Sequence, residues 1–150
     1  KRGAESGQRC EKSGESMKIV LGYYTEWAEQ LPPERVHYEL FTHLAHAFAP
    51  LKPDGSLGEM PRAKTLCEKA KQNNVKVLLS VGGANSNATL TAIVSDKAAL
   101  SRCLDNLTAF VEKTGYAGVD VDWEAHSGSD DRDRMNTLTL ALRERLGRER

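Results

Sequence analysis

Three observations predict an α/β fold made of parallel βα units. Short apolar runs alternate along the chain with segments of helical periodicity. Two of those runs, LAHAFA at 44–49 and VKVLLSV at 75–81, are nearly continuous in apolar residues, as suits strands buried on both faces of a parallel sheet. The chain has 150 residues, whereas a closed barrel of eight βα units needs at least about 200. Two architectures fit: a small, open, doubly wound sheet, or the first half of an eight-unit barrel. Both put the functional site at the carboxyl ends of the strands.

Residues 1–16, KRGAESGQRCEKSGES, are polar and rich in Gly, Ser and charge, and they contain no hydrophobic signal core. They are expected to form a flexible tail, with the folded domain spanning 17–150. Strands are expected near 18–24, 41–48, 75–81 and 117–123, with helices near 33–39, 60–73, 96–114 and 131–146, giving four consecutive βα units. The third helix carries the clearest signals. Ser95 stands as N-cap, Leu100, Cys103, Leu104, Leu107, Phe110 and Val111 recur at helical spacing, and Gly115 marks the stop.

Lysine plus arginine number 21 and aspartate plus glutamate 21, a formal net charge of zero. Without a dense basic stripe the electrostatic attraction that dominates nucleic-acid binding is missing, so no nucleic-acid partner is expected. The end of the chain, RERLGRER, alternates sign as a solvated helix end does. No apolar run approaches the roughly 20 residues needed to cross a bilayer, so no membrane partner is expected either. Cys10, Cys67 and Cys103 are an odd number at wide spacing. One bridge among them is open, but buried thiols are the favoured reading.

The chemistry concentrates in GVDVDWE at 118–124. Side chains alternate along a strand, so Asp120, Asp122 and Glu124 share one face, roughly 6.6 Å from one to the next, with Val119, Val121 and Trp123 on the other. Like charges crowded in a partly dry site raise at least one pKa, which is how a glutamate can be kept as a general acid. An acid-dressed solvent face is the alternative, weakened because βα units bury both faces of their strands. SVGG at 80–83 ends the preceding strand. Gly82 and Gly83 there allow backbone or substrate to approach closely, although an ordinary strand-to-loop turn would look the same.

In order and on successive strands, SVGG at 80–83 and AGVDVDWE at 117–124 resemble the SxGG and DGxDxDWE patterns of the glycoside hydrolase family 18 chitinases. The likeness extends to GYYTEW at 22–27 and FTHLAHAFAPLKPDGSL at 41–57, and covers about residues 18–146. It implies the N-terminal half of a TIM (β/α)8 barrel and a retaining hydrolase in which the substrate's acetamido oxygen is the nucleophile. By resemblance Glu124 would protonate the glycosidic oxygen and later act as base toward water. Asp122 would orient the acetamido group, sharing a proton with Asp120. Tyr23 and Phe48 match aromatic positions of the sugar-binding floor, where ring faces suit pyranoses. Trp27 joins them as a substrate-binding candidate, and for Trp27 and Phe48 core packing is an equal alternative. The implied partner is chitin or an N-acetylglucosamine oligosaccharide. No metal and no cofactor are implied, and export from the cell is usual for the family.

Some positions depart from the pattern. Ala117 stands where the first aspartate of the acidic motif is usual, which would remove the innermost member of the relay and alter the pH profile. Ala84 and Ala125-His126 replace sugar-contacting aromatics, and strands five to eight are missing. His126 beside the acids invites a metal reading, which the family does not favour. His43 and His46 read as satisfied core or rim histidines. Two other functions compete: a chitin-binding lectin without catalysis, which typically loses the glutamate of DWE, and a phosphohydrolase with Asp120 as nucleophile and Asp122 as acid. A half-barrel would also expose its strand edges to self-association.

Overall fold

The computed structural model describes residues 18–124 and 129–147. The expected tail, Cys10, Ala125 and His126 lie outside them. Four strands, β1 (Leu21–Thr25), β2 (His43–Ala47), β3 (Lys76–Gly82) and β4 (Gly118–Asp122), form one parallel sheet in the order β1-β2-β3-β4. Four α-helices accompany them: α1 (Ala63–Gln72), α2 (Asn87–Ser95), α3 (Lys97–Thr114) and α4 (Ser129–Leu146). Sequential strands are neighbours throughout, with Tyr23 opposite Ala45, Ala45 opposite Leu78, and Ser80 opposite Asp120. A sheet that advances one strand at a time without reversing is a segment of a barrel, so the doubly wound alternative is set aside.

The units differ from four equal repeats. Between β1 and β2 there is no α-helix at 33–39 but two 3-10 turns, Pro33–Arg35 and Tyr38–Leu40. The Pro32-Pro33 pair removes two backbone donors, and the Tyr38 hydroxyl donates to the Pro33 carbonyl at 2.8 Å, folding the segment back on itself. Between β3 and β4 there are two helices where one was expected. Ser95 closes α2, and the N-cap of α3 is Asp96, whose Oδ1 accepts from the amides of Ala98 at 2.7 Å and Ala99 at 3.1 Å.

The core lies between the sheet and the helices. Leu44, Val77, Leu79 and Val81 from the strands meet Leu66 and Ala70 of α1, Leu90 and Ile93 of α2, Cys103, Leu107 and Val111 of α3, and Leu138 and Leu142 of α4. Leu79, Leu66 and Leu107 are fully buried, and truncating any of them to alanine would cost about 2–5 kcal/mol. Cys67 and Cys103 are buried free thiols, and burial pushes them up to about 12 and about 11, so they pack as small apolar groups. At the end of α4, Arg145 pairs with Asp105 on α3.

Candidate active site

On the sheet face away from the helices, β1, β3 and β4 contribute one hydrogen-bonded cluster. Register puts Ser80 directly beside Asp120, and the Ser80 hydroxyl donates to Asp120 Oδ2 at 2.7 Å. The Tyr23 hydroxyl donates to the same oxygen at 3.2 Å from two strands further over. That reach is possible because Tyr23 has small Ala45 as its neighbour on β2, followed on the same face by Ala47. Burial, then the charges of Asp120 and Asp122 and the bond to Asp120, push the Tyr23 phenol up to about 12, so it stays protonated and donates at neutral pH.

Asp122 follows Asp120 on the same face, half-buried at the strand end. Glu124 stands two residues further, exposed. Trp123 points the other way and is buried at 5% exposure. The strand alternation expected from GVDVDWE is therefore present over 118–122, with Trp123 and Glu124 beyond the end of the strand. Among the described residues no three carboxylate, imidazole or thiol side chains converge closely enough to hold a metal ion.

The glycines after β3 hold this strand end in place. The Gly83 amide donates to the Asp122 carbonyl at 2.8 Å. Gly82, at φ +132°, lies so close that a Cβ on it would collide with that same carbonyl, and a Cβ on Gly83, at φ +89°, would come within 2.6 Å of the Phe48 ring. Any side chain at either position would displace Asp122 or Phe48.

Beside the acids opens a cleft of about 420 Å³, lined by Trp27, Phe48, Gly82, Gly83, Ala84 and Asn85, among others. Trp27 and Phe48 stack with ring centroids 6.1 Å apart, and Trp27 is 63% exposed, so it is not a core residue. Tyr23 is not part of this cleft; it belongs with Asp120. The structure thus divides the expected site into an acid cluster of Tyr23, Ser80, Asp120 and Asp122, with Glu124 exposed beyond the end of β4, and an aromatic wall of Trp27 and Phe48.

Residues 19–150 match the family model described as glycosyl hydrolases family 18. The chain belongs to that family. Among curated relatives, Nod factor hydrolase protein 1 of Medicago truncatula is 31% identical over 87% of this chain and 37% of its own length. A chitinase-like effector of Moniliophthora perniciosa is 30% identical over 82% of this chain and 30% of its own. Among solved structures, a chitinase from Bacteroides thetaiotaomicron superposes with a TM-score of 0.73 at 29% identity, covering 90% of this chain and 44% of that one. The family 18 chitinase of Cycas revoluta, crystallised with (GlcNAc)3, gives 0.74 at 26% identity, covering 85% and 41%. The chain therefore spans well under half the length of the family 18 proteins it matches, and its sheet is a partial TIM barrel.

One expectation drawn from the family pattern is corrected by geometry. Ala117 does not sit at the inner end of the acid row. It shares the parity of Val119 and Val121, and lines a separate pocket at the amino ends of the strands with Cys67, Lys71 and Val77. In the sequence Ser80 stands out only as part of the SVGG motif. Its register partner, Asp120, was the signal that could have identified it.

Proposed function

We propose that residues 17–150 form the acid-bearing part of a family 18 glycosidase catalytic domain, cleaving β-1,4-linked N-acetylglucosamine by substrate-assisted, retaining hydrolysis. The observation that carries this reading is the acid row rooted at Asp120 by Ser80 and Tyr23 beside an aromatic cleft. Glu124 gives its proton to the glycosidic oxygen as the bond from that oxygen to C1 breaks. The acetamido carbonyl oxygen of the same sugar closes onto C1, forming a cationic oxazolinium ring. Asp122 faces that ring and holds the acetamido N–H, while Asp120, with two donors on one oxygen, sets the charge beneath it. Water then adds to C1 as the ring's bond from C1 to the acetamido oxygen breaks, and the water's proton passes to the Glu124 carboxylate. Trp27 and Phe48 receive the apolar face of a pyranose, and Gly82 and Gly83 leave room for it. The reading uses no cofactor and no metal.

The test is release of a fluorogenic leaving group from an N-acetylchitobiose glycoside by this chain and by Glu124→Gln. Activity in the first that drops about 100-fold or more in the second supports Glu124 as the acid. The aromatic cleft, whose lining does not include Glu124, favours a second reading: a chitooligosaccharide-binding module without turnover. A folded chain that binds the oligosaccharide but hydrolyses nothing, with Trp27→Ala abolishing binding, selects that one.

A further inference from the structure

We infer that Asn87, the first residue of α2, is a positioning residue for Glu124, acting through the indole of Trp123. The inference rests on the reading of Glu124 as the acid. Glu124 stands exposed beyond the end of β4, so its direction is inherited from the residues before it. Those residues are clamped at two points. The backbone is held where the Gly83 amide donates to the Asp122 carbonyl at 2.8 Å. The side chain is held where Trp123 Nε1–H donates to Asn87 Oδ1 at 3.0 Å.

Trp123 is the bulky buried residue on the face opposite the acids. An indole has one donor and no acceptor, so a single partner sets its rotation about Cα–Cβ once the ring is packed. Asn87 is itself held: the Thr91 hydroxyl donates to the same Oδ1 at 3.4 Å, one turn along α2. The turn before it closes on the same glycine that grips Asp122, since the Ser86 hydroxyl and amide both donate to the Gly83 carbonyl, at 2.7 and 3.1 Å. The segment from Gly83 to Asn87 therefore bridges the backbone of Asp122 to the side chain of Trp123. With both ends of that two-residue unit fixed, the next Cα–Cβ vector, that of Glu124, leaves the strand in one direction. A displacement of about 1 Å at a catalytic group can cost about 100-fold in rate, so a bond this remote from substrate can control the chemistry.

The experiment compares the whole chain with Asn87→Leu, which removes the acceptor at similar volume, Asn87→Asp, which keeps it, and Trp123→Phe, which removes the donor. Three quantities are read: exchange of the Trp123 indole proton, order of the Glu124 backbone amide by 15N relaxation, and kcat and KM on the chitobiose glycoside. Asn87→Leu should expose the indole proton, raise the mobility of the Glu124 amide, and lower kcat about tenfold or more with KM within about twofold. Asn87→Asp should restore all three. Trp123→Phe should reproduce the Glu124 and kcat effects, and combining it with Asn87→Leu should add little.

Released indole with wild-type order at Glu124 overturns the inference, and so does a rise in KM at unchanged kcat. If the unmodified chain turns over nothing, the reading of it as an active glycosidase fails, while the Glu124 amide still reports whether Asn87 positions that residue. Should Asn87→Leu not fold, Trp123→Phe carries the same comparison.

Discussion

His46 lies fully buried in β2, on the helix-facing side of the sheet, with a partner on each ring nitrogen. Glu26 Oε2 lies 2.6 Å from Nε2, and the Tyr116 hydroxyl 2.7 Å from Nδ1. A carboxylate only accepts, so Nε2 carries the proton and Nδ1 accepts from Tyr116, whose ionisation burial raises far above neutrality. The other oxygen of Glu26 accepts from the Arg62 amide at 2.9 Å, and Arg62 donates to the Tyr24 hydroxyl and the Ala28 carbonyl. This network ties the end of β1, just before Trp27, to the start of α1. Burial lowers the His46 pKa, against the opposing pull of Glu26 and with a smaller lowering from Arg62. The unfolded chain therefore binds a proton near pH 6.5 that the folded chain refuses, and stability is lost as pH falls from about 6.5 toward the folded value. Thermal unfolding at about pH 7.5 and pH 5.5 should show a larger loss in the unmodified chain than in His46→Asn, although that variant is less stable at both. Parallel losses would refute this account. The sequence reads His46 as a satisfied core or rim residue, but Glu26 and Tyr116 lie 20 and 70 positions away, and no local pattern pairs them.

At the scale of elements, the regions misread from sequence are those where packing overrides propensity. Asn87–Ser95 reads NATLTAIVS, rich in β-branched residues that favour strands, and no element is expected there from sequence. Its apolar spacing, Leu90, Ile93 and Val94, was the available signal, and burial of Leu90 and Ile93 in the core makes it a helix. Because α2 runs to Ser95, the cap of α3 falls one residue later, at Asp96. Ser95 has the right chemistry, but it belongs to the helix before, leaving Asp96 in extended conformation to receive two amides. Asp96→Ala should lower stability by about 1 kcal/mol, seen as a lower denaturant midpoint at unchanged slope, whereas Ser95→Ala should change it far less. Equal effects would return the cap to Ser95. The β-strands were placed within a few residues because their apolar runs are continuous and bounded by Gly, Asn and Pro.

The molecule as a whole has a well-covered helix side and an open inner side. Among the described residues β1 and β4 have no further strand beside them in the sheet order, and Val20, just before β1, and Leu21 and Tyr23 within it are 47%, 44% and 53% exposed. A parallel edge with apolar side chains is a template for another strand. The 150-residue chain by itself is therefore predicted to self-associate through these edges. Sedimentation velocity over a concentration series should show dimers or larger species, reduced by Val20→Lys. A monomer at all concentrations would count against it.

The sequence alone determined the parallel α/β class, the four strands and the alternation that puts Asp120 and Asp122 on one face of β4, because each is encoded by local periodicity. It also carried the family, because two short motifs on successive strands are a specific combination. Only the tertiary structure decided what those acids touch. It joined Tyr23 and Ser80 to Asp120, moved Ala117 out of the acid row, separated Tyr23 from the Trp27–Phe48 wall, and brought Asn87 to Trp123. Those pairings depend on strand register and helix packing, which arise from burying one common core and are written in no single stretch of residues.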